Sequence, residues 1–284
     1  MVDLERANDA LAALLDTVDG PRSVADGEQL FCGLDVGTAF IVLSVVDAEG
    51  APVACAYRFA DVVRDGMVVD YIGAVDIARE LKVELEGELG VELGPCAVAL
   101  PPGTEALDGG VVKNVAEGAG FDVVAVLDEP TAANLLIGTT DGAVVDIGGG
   151  TTGISVFHDG RVVSCVDEST GGTHFSLVIA GAKGIPFMEA EEYKRDSANH
   201  RELLPVVKPT IDKVASIIAR AIASYDVPEV ILVGGTAELS GIEEPIAKTL
   251  GIPVHKPEHP MFVTPLGIAL GCLQAMEDEG DGDA

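Results

Sequence analysis

One arrangement occurs twice along this chain: a buried strand reaches an aspartate, breaks into a glycine-rich turn, resumes as a strand and returns through a hairpin. In the first copy Phe31 to Val46 is a long apolar run holding Gly33-Leu34-Asp35-Val36-Gly37-Thr38-Ala39. It is followed by the turn Asp47-Ala48-Glu49-Gly50 and a return strand from Val53 to Phe59. In the second, Val144 to Ile147 carries Asp146, Gly148-Gly149-Gly150-Thr151-Thr152 interrupts, and Ile154 to Phe157 resumes; His158-Asp159-Gly160 then turns into Arg161 to Val166. A further element recurs as well. Cys96 to Leu100 runs into Pro101-Pro102-Gly103-Thr104, and Val230 to Val233 into Gly234-Gly235-Thr236, each a buried strand, a small-residue turn and a helix. Duplication on this scale predicts two homologous α/β lobes facing each other across a cleft.

Helical stretches fall between these motifs, at Ala74 to Leu89, Phe175 to Ile179, Glu189 to Lys194 and Pro209 to Ser224, with a last helix at Thr264 to Met276 packing back on the first lobe. The expected division is a helix and linker over 1–29, lobe I over 30–142 and 262–276, lobe II over 143–261, and an acidic tail over 277–284. Leu4, Leu11, Leu14, Leu15 and Val18 recur at helical spacing ahead of Gly20-Pro21, and the polar stretch from Arg22 to Gln29 reads as a linker. This first helix either packs on the body or serves as a docking peptide. The linker leads to the expectation that removing residues 1–21 leaves stability nearly unchanged.

A glycine-rich turn exposes successive backbone N–H groups and lets an anion approach closely, and the hydroxyls of Thr38, Thr151 and Thr152 add donors. A phosphate held between both turns would bring Asp35 and Asp146 towards it, and those like charges need a cation between them, which points to Mg²⁺ held through water. Taken singly, each aspartate also reads as an Asx-turn cap. Neither turn fits the P-loop spacing or opens a dinucleotide-binding βαβ unit. Gly234, Gly235 and Thr236 suit the adenosine side of a nucleotide.

The 284 residues carry 47 acidic and 17 basic side chains, a net charge of -30. Such a field repels phosphodiester backbones and anionic lipid, which disfavours nucleic-acid and membrane-surface roles. The five cysteines are scattered, without metal-ligand spacing, and read as reduced thiols of a cytoplasmic protein. No apolar run is long enough to span a bilayer.

Four ordered segments carry a resemblance. Leu34-Asp35-Val36-Gly37-Thr38, Asp128-Glu129-Pro130-Thr131-Ala132-Ala133, Asp146 to Thr152 and Ile231 to Ala237 resemble the phosphate 1, connecting, phosphate 2 and adenosine motifs of the actin, sugar kinase and DnaK-type ATPase superfamily. Within it, Arg64-Asp65-Gly66-Met67-Val68-Val69-Asp70-Tyr71, Gly171-Gly172-Thr173 and Ala190-Glu191-Glu192-Tyr193-Lys194 are similar to the EutJ ethanolamine-utilisation family, relatives of FtsA, PilM and MreB. The resemblance implies a two-lobed actin-like ATPase fold of duplicated ribonuclease-H-like lobes. It also implies a slow ATPase acting as a chaperone-like factor for ethanolamine ammonia-lyase or microcompartment shell proteins.

By motif, Glu129 would orient the attacking water, and Asp35 and Asp146 would hold Mg²⁺. Gly37, Thr38, Ala39, Gly148, Gly149, Gly150, Thr151 and Thr152 would surround the phosphates, and Glu191 and Lys194 would reach the ribose or adenine. Alone, Glu129 reads as a helix N-terminal acid, and Glu191 with Lys194 as an exposed ion pair. The stretch after the first hairpin holds no lysine matching the one DnaK-type chaperones use on phosphate. An ATP-dependent filament or scaffold is the alternative reading. A sugar kinase lacks an added acceptor domain here, and an iron-sulfur activator lacks its cysteine context.

Overall fold

The computed structural model describes residue 2 and residues 4–64, 66–103 and 109–282. Asp65, Thr104 and the end of the tail at 283–284 lie outside the described residues. Two five-stranded sheets carry the architecture. The first contains β1 (Phe31–Val36), β2 (Phe40–Val46), β3 (Pro52–Phe59), β6 (Pro95–Leu100) and β7 (Asp122–Asp128), in the order β3-β2-β1-β6-β7. Between β3 and β6 lies a small ribbon of β4 (Val63–Arg64) and β5 (Met67–Val68). The second sheet contains β8 (Gly142–Ile147), β9 (Thr152–His158), β10 (Arg161–Glu168), β11 (Val230–Val233) and β12 (Val254–His255), in the order β10-β9-β8-β11-β12. Both orders describe one plan, an antiparallel meander followed by two parallel strands.

Each glycine-rich segment was expected to interrupt one long strand, and in each lobe it instead reverses the chain. Gly37 N–H donates to Phe40 O and Gly148 N–H to Thr151 O, both at 3.0 Å, closing a tight turn between antiparallel strands. A run such as Phe31 to Val46 is apolar throughout because both strands are central and covered on both faces, so hydropathy alone hides the reversal.

Helices cover the sheets: α1 (Glu5–Asp16), α2 (Tyr71–Leu89), α3 (Gly109–Ala119), α4 (Glu129–Ile137), α5 (Gly172–Lys183), α6 (Phe187–Arg195), α7 (His200–Ile222), α8 (Glu243–Leu250) and α9 (Val263–Gly282). All five expected helices begin earlier or end later than expected, three of them by four residues or more. Helix α5 extends well past Ile179. Helix α7 starts at His200 and keeps Pro205 and Pro209 inside it, because burying Leu203, Val207 and Ile211 outweighs the missing N–H groups. Helix α9 runs on into the acidic segment as far as Gly282.

Helix α9 is wedged between β1 and α4 by two glycines. A Cβ on Gly33 would lie 2.3 Å from the Ala269 backbone N, and one on Gly267 2.0 Å from Ala132 O, so only hydrogen at those positions permits the approach.

The first helix is no detached peptide. Ala7, Leu11 and Leu14 of α1 are fully buried in a cluster with Phe31, Val46 and Cys55 of the first sheet, Ile231 and Val233 of the second, and Cys272 of α9. Asn8 Oδ1 accepts from Glu258 N–H at 2.8 Å, and Glu229 Oε1 from Val2 N–H at 2.7 Å, so hydrogen bonds tie to the second lobe a segment whose apolar face also packs on the first. The polar linker is pinned as well. Arg22 N–H donates to Val53 O at 2.8 Å, and its guanidinium reaches Asp47 at 2.9 Å. The apolar stripe was visible in the sequence, whereas the surface that receives it is assembled from distant segments. Leu14→Ala is therefore expected to cost about 2–5 kcal/mol, the range for emptying a buried leucine, and to lower the melting temperature by several degrees. Removal of residues 1–21 should do more, and melting curves at matched salt measure both.

Candidate functional site

The two turns meet where the carboxyl ends of β1 and β8 approach each other. A Cβ on Gly149 would stand 2.9 Å from Thr38 Cβ, so the turn of one lobe rests directly against that of the other. The second turn is held from behind. Gly172 N–H donates to Gly148 O at 2.9 Å, Thr173 N–H to Gly149 O at 2.8 Å, and Thr236 Oγ1 to Gly148 O at 2.7 Å. A Cβ on Gly171 would press on Gly150 at 2.7 Å, and one on Gly234 on Asp146 Oδ1 at 2.1 Å. These glycines allow strand ends from one lobe to converge without side chains filling the space.

An open cleft lies over the turns and is lined by Asp35, Gly37, Thr38, Ala39, Glu129, Asp146, Gly148, Gly149, Gly150, Thr151, Gly234 and Gly235. Thr152, assigned with them in the sequence, is an exception. It is wholly buried, and its hydroxyl donates to Thr170 O at 2.5 Å, because β9 begins there and the alternation of the strand turns its side chain inward.

Glu129 opens α4, which Asp128 caps by accepting from Thr131 N–H at 2.9 Å, with Pro130 in the first turn. A fourth carboxylate was not anticipated. Asp146 on β8 pairs with Gly153 on β9, and Gly153 pairs with Asp167 on β10, so the two aspartates flank a residue without a side chain and share a face. Pro102 and Pro130 fill that gap, each 3.2 Å from where a Cβ on Gly153 would stand. One oxygen of Asp167, Oδ1, is buried and has no hydrogen-bond partner among the described residues.

Crowding Asp35, Glu129 and Asp146 into a cleft whose described lining holds no lysine or arginine, with Asp167 beside them, shifts the ionisation of all four upwards. Burial and then the charge of Asp146 push Asp35 up to about 7. Burial pushes Asp146 up to about 6, opposed by Thr264, whose Oγ1 donates to its Oδ2 at 2.5 Å. Asp167 is raised by burial to about 6, against a hydrogen bond from Thr151. Glu129 is raised well above the ordinary glutamate range by burial and by its neighbours Asp146, Asp35 and Asp167.

Glu191 and Lys194 stand in a second cavity alongside, lined also by Ala39, Gly149, Gly235, Thr236, His200 and Met261. They form a buried ion pair at 2.8 Å, with side chains 9% and 11% exposed, rather than a solvated pair on a helix surface. Ser176 Oγ donates to Glu191 at 2.5 Å and Lys194 Nζ to Gly172 O at 3.1 Å, so the pair is tied to the start of α5. Arg195, next in the helix, spans the cleft and lies over the rings of Phe40 and Phe59 on the other lobe, 5.4 and 5.0 Å from their centroids. Sequence spacing offered no sign of that contact.

Comparison with known proteins bears on this geometry. The ethanolamine utilization protein EutJ of Escherichia coli (strain K12) is 44% identical over 254 residues, covering 89% of this chain and 90% of that protein. The chain belongs to the EutJ family. A crystal structure of EutJ from Carboxydothermus hydrogenoformans superposes with a TM-score of 0.87 at 48% identity, over 93% of this chain and 97% of that one. MreB5 of Spiroplasma citri, in a structure bound to AMPPNP, superposes at a TM-score of 0.71 and 16% identity, over 89% of this chain and 99% of that one. The fold is thus the two-lobed α/β fold of the actin-like ATPases. Family models also match in part, cell division protein FtsA over residues 143–267 and MreB/Mbl protein over 58–181. Among the described residues no helix is long and apolar enough to cross a membrane.

The raised carboxyls fix a pH dependence. A group that holds its proton more tightly when folded contributes stability below its unfolded pKa and loses it as pH rises through the folded value. For Asp35 that loss runs from about pH 4, the ordinary aspartate range, to somewhat above 7. Asp35→Asn removes the group that must charge, so the variant is expected to melt above the wild type at pH 8 and to lose that advantage near pH 5. Thermal melts across this range without divalent cation test it.

Proposed function

We propose that this EutJ-family protein is an ATP-dependent switch of ethanolamine utilisation, binding Mg-ATP between its lobes, hydrolysing it slowly and passing the change in lobe closure to a bound protein. The observation that carries the reading is the pair of abutting glycine turns, one from each lobe, opening on a shared cleft beside Asp35, Asp146 and Glu129. Backbone N–H groups of Thr38 and Ala39 and of Gly149 to Thr151 would hold the phosphates, the Gly37 and Gly148 N–H groups being engaged in closing the turns. The adjoining cavity with Glu191, Lys194, Gly235 and Thr236 would take the nucleoside. Family relatives carry ethanolamine utilisation in their name, and the AMPPNP complex of MreB5 supports an adenine nucleotide in a cleft of this fold.

The residues suit a hydrated magnesium ion, since Asp35 and Asp146 are driven towards their neutral forms in the absence of positive charge and a cation would restore both. When bound, the ion supplies charge neutralisation for the phosphates. The same neutralisation would bring Glu129 down from its raised value into the ionised form that a general base requires. Acceptance of the proton from water by Glu129 is the step assigned to this chain. The lack of a basic side chain in the phosphate wall accounts for slow turnover. Ethanolamine ammonia-lyase or microcompartment shell proteins are the proposed partners, with a chaperone-like role and a cytoplasmic location.

Calorimetry with and without Mg²⁺ is expected to show magnesium-dependent ATP binding that Asp146→Ala weakens severely; equal affinity in wild type and variant would remove Asp146 from the site. Glu129→Gln should keep ATP binding and reduce hydrolysis by about 10²–10⁴-fold, the usual loss on removing a general base. Single-turnover phosphate release reads this directly, and unchanged hydrolysis overturns the role of Glu129.

A further inference from the structure

The two lobes treat equivalent strands differently. β3 and β10 are the third strands of the two meanders and the outer strands of their sheets. Val53, Ala54, Cys55 and Ala56 of β3 are buried, and α1 and α2 pack against that strand. β10 has no such cover. Val162, Val163 and Val166 are 41%, 43% and 37% exposed, and no strand among the described residues pairs with its outer side.

The register shows that these valines extend the core. Val166 stands opposite Ile154 and Val162 opposite Phe157, both buried, so apolar rows on each face of the sheet cross β9 and end uncovered at β10. A bulge between Val162 and Ser164 bends the start of the strand, whereas Ser164 to Glu168 pair regularly with β9 and form a straight ledge. Outer strands ordinarily avoid apolar exposure, since an open edge invites another strand.

We propose that β10 is a docking edge for an extended segment of a partner protein, apolar at alternate positions and flanked by basic residues. Backbone pairing along the ledge requires a strand, and the uncovered valines require apolar side chains on it. Charge decides the flanks. Asp128, Asp167 and Glu168 gather at one end of β10, where Arg220 is engaged with Glu168 at 3.4 Å, and at the other end Asp141 and Asp159 outnumber Arg161. A second copy of this chain would bring another -30 charges to the same edge, which opposes self-association there. The segment also passes Asp167, which lies across Gly153 from Asp146, so a partner seated on β10 sits one strand removed from the wall of the cleft. None of this depends on which nucleotide the cleft takes.

The test uses the full chain without nucleotide and fluorescent synthetic peptides of alternating valine and threonine. One has paired lysines at both ends, one paired glutamates, and one lysines with a central proline. Anisotropy is expected to show the lysine peptide binding at least about tenfold more tightly than the other two, with affinity falling as salt rises. Val166→Lys and Val162→Lys, both at exposed positions, should each weaken it by about tenfold or more while melting like the wild type. Equal binding of lysine and glutamate peptides, no binding at low salt, or indifference to both substitutions overturns the proposal. Sedimentation showing a dimer that both substitutions abolish also overturns it, by making a second copy the occupant.

Discussion

Mutual repulsion among carboxyl groups in a cleft without a basic partner is the constraint around which this molecule is arranged. Asp35 and Glu129 come from the first lobe and Asp146 and Asp167 from the second, and burial deprives them of the water that would screen their charge. The folded chain accommodates them by retaining protons and by the hydroxyl of Thr264 on Asp146. The abutting turns, the glycine close contacts and the placement of α4 all serve to bring these groups together.

Much of this was legible in the sequence, for a local reason. Asp35 and Asp146 each sit at the end of an apolar strand just before a turn, and that local signature appears twice. The two sheets with one strand order show that the duplication is real. The third turn at Gly234 is legible as the end of a buried strand, whereas Glu129 is singled out only by the resemblance of Asp128 to Ala133 to the connecting motif. The reversal at each glycine turn was missed because strands covered on both faces give no alternation of apolar and polar residues.

What escaped was set by partners distant in the chain. Asp167 acquires its place from cross-strand register through Gly153, and nothing near it in sequence distinguishes it from other acids on exposed strands. A rule could have found it: where the residue opposite a buried aspartate is glycine, the next strand's acidic residue has no side chain standing between it and that aspartate on the middle strand. Arg195 is similar, since its aromatic partners Phe40 and Phe59 belong to the other lobe. For α1 the stripe is legible while its destination stays open between the body and a partner, because the receiving surface draws on both sheets and the last helix. For Thr152 the motif gave the hydroxyl but not the strand alternation that turns it inward.

The two glycines beneath α9 have a kinematic consequence. With Gly33 against Ala269 and Gly267 against Ala132, backbone meets backbone with no compressible side chain between them, so β1, α9 and α4 travel as one rigid body. Asp35 and Glu129 ride on that body, as Asp146 and Asp167 ride together on adjacent strands of the other sheet. Any rotation of one lobe against the other preserves the distance within each pair and changes only the separation between pairs. Thr264, at the root of α9, reaches across to Asp146 and marks where that separation is pinned. The cleft is thus bounded by two stiff walls whose spacing, rather than whose shape, is the adjustable quantity.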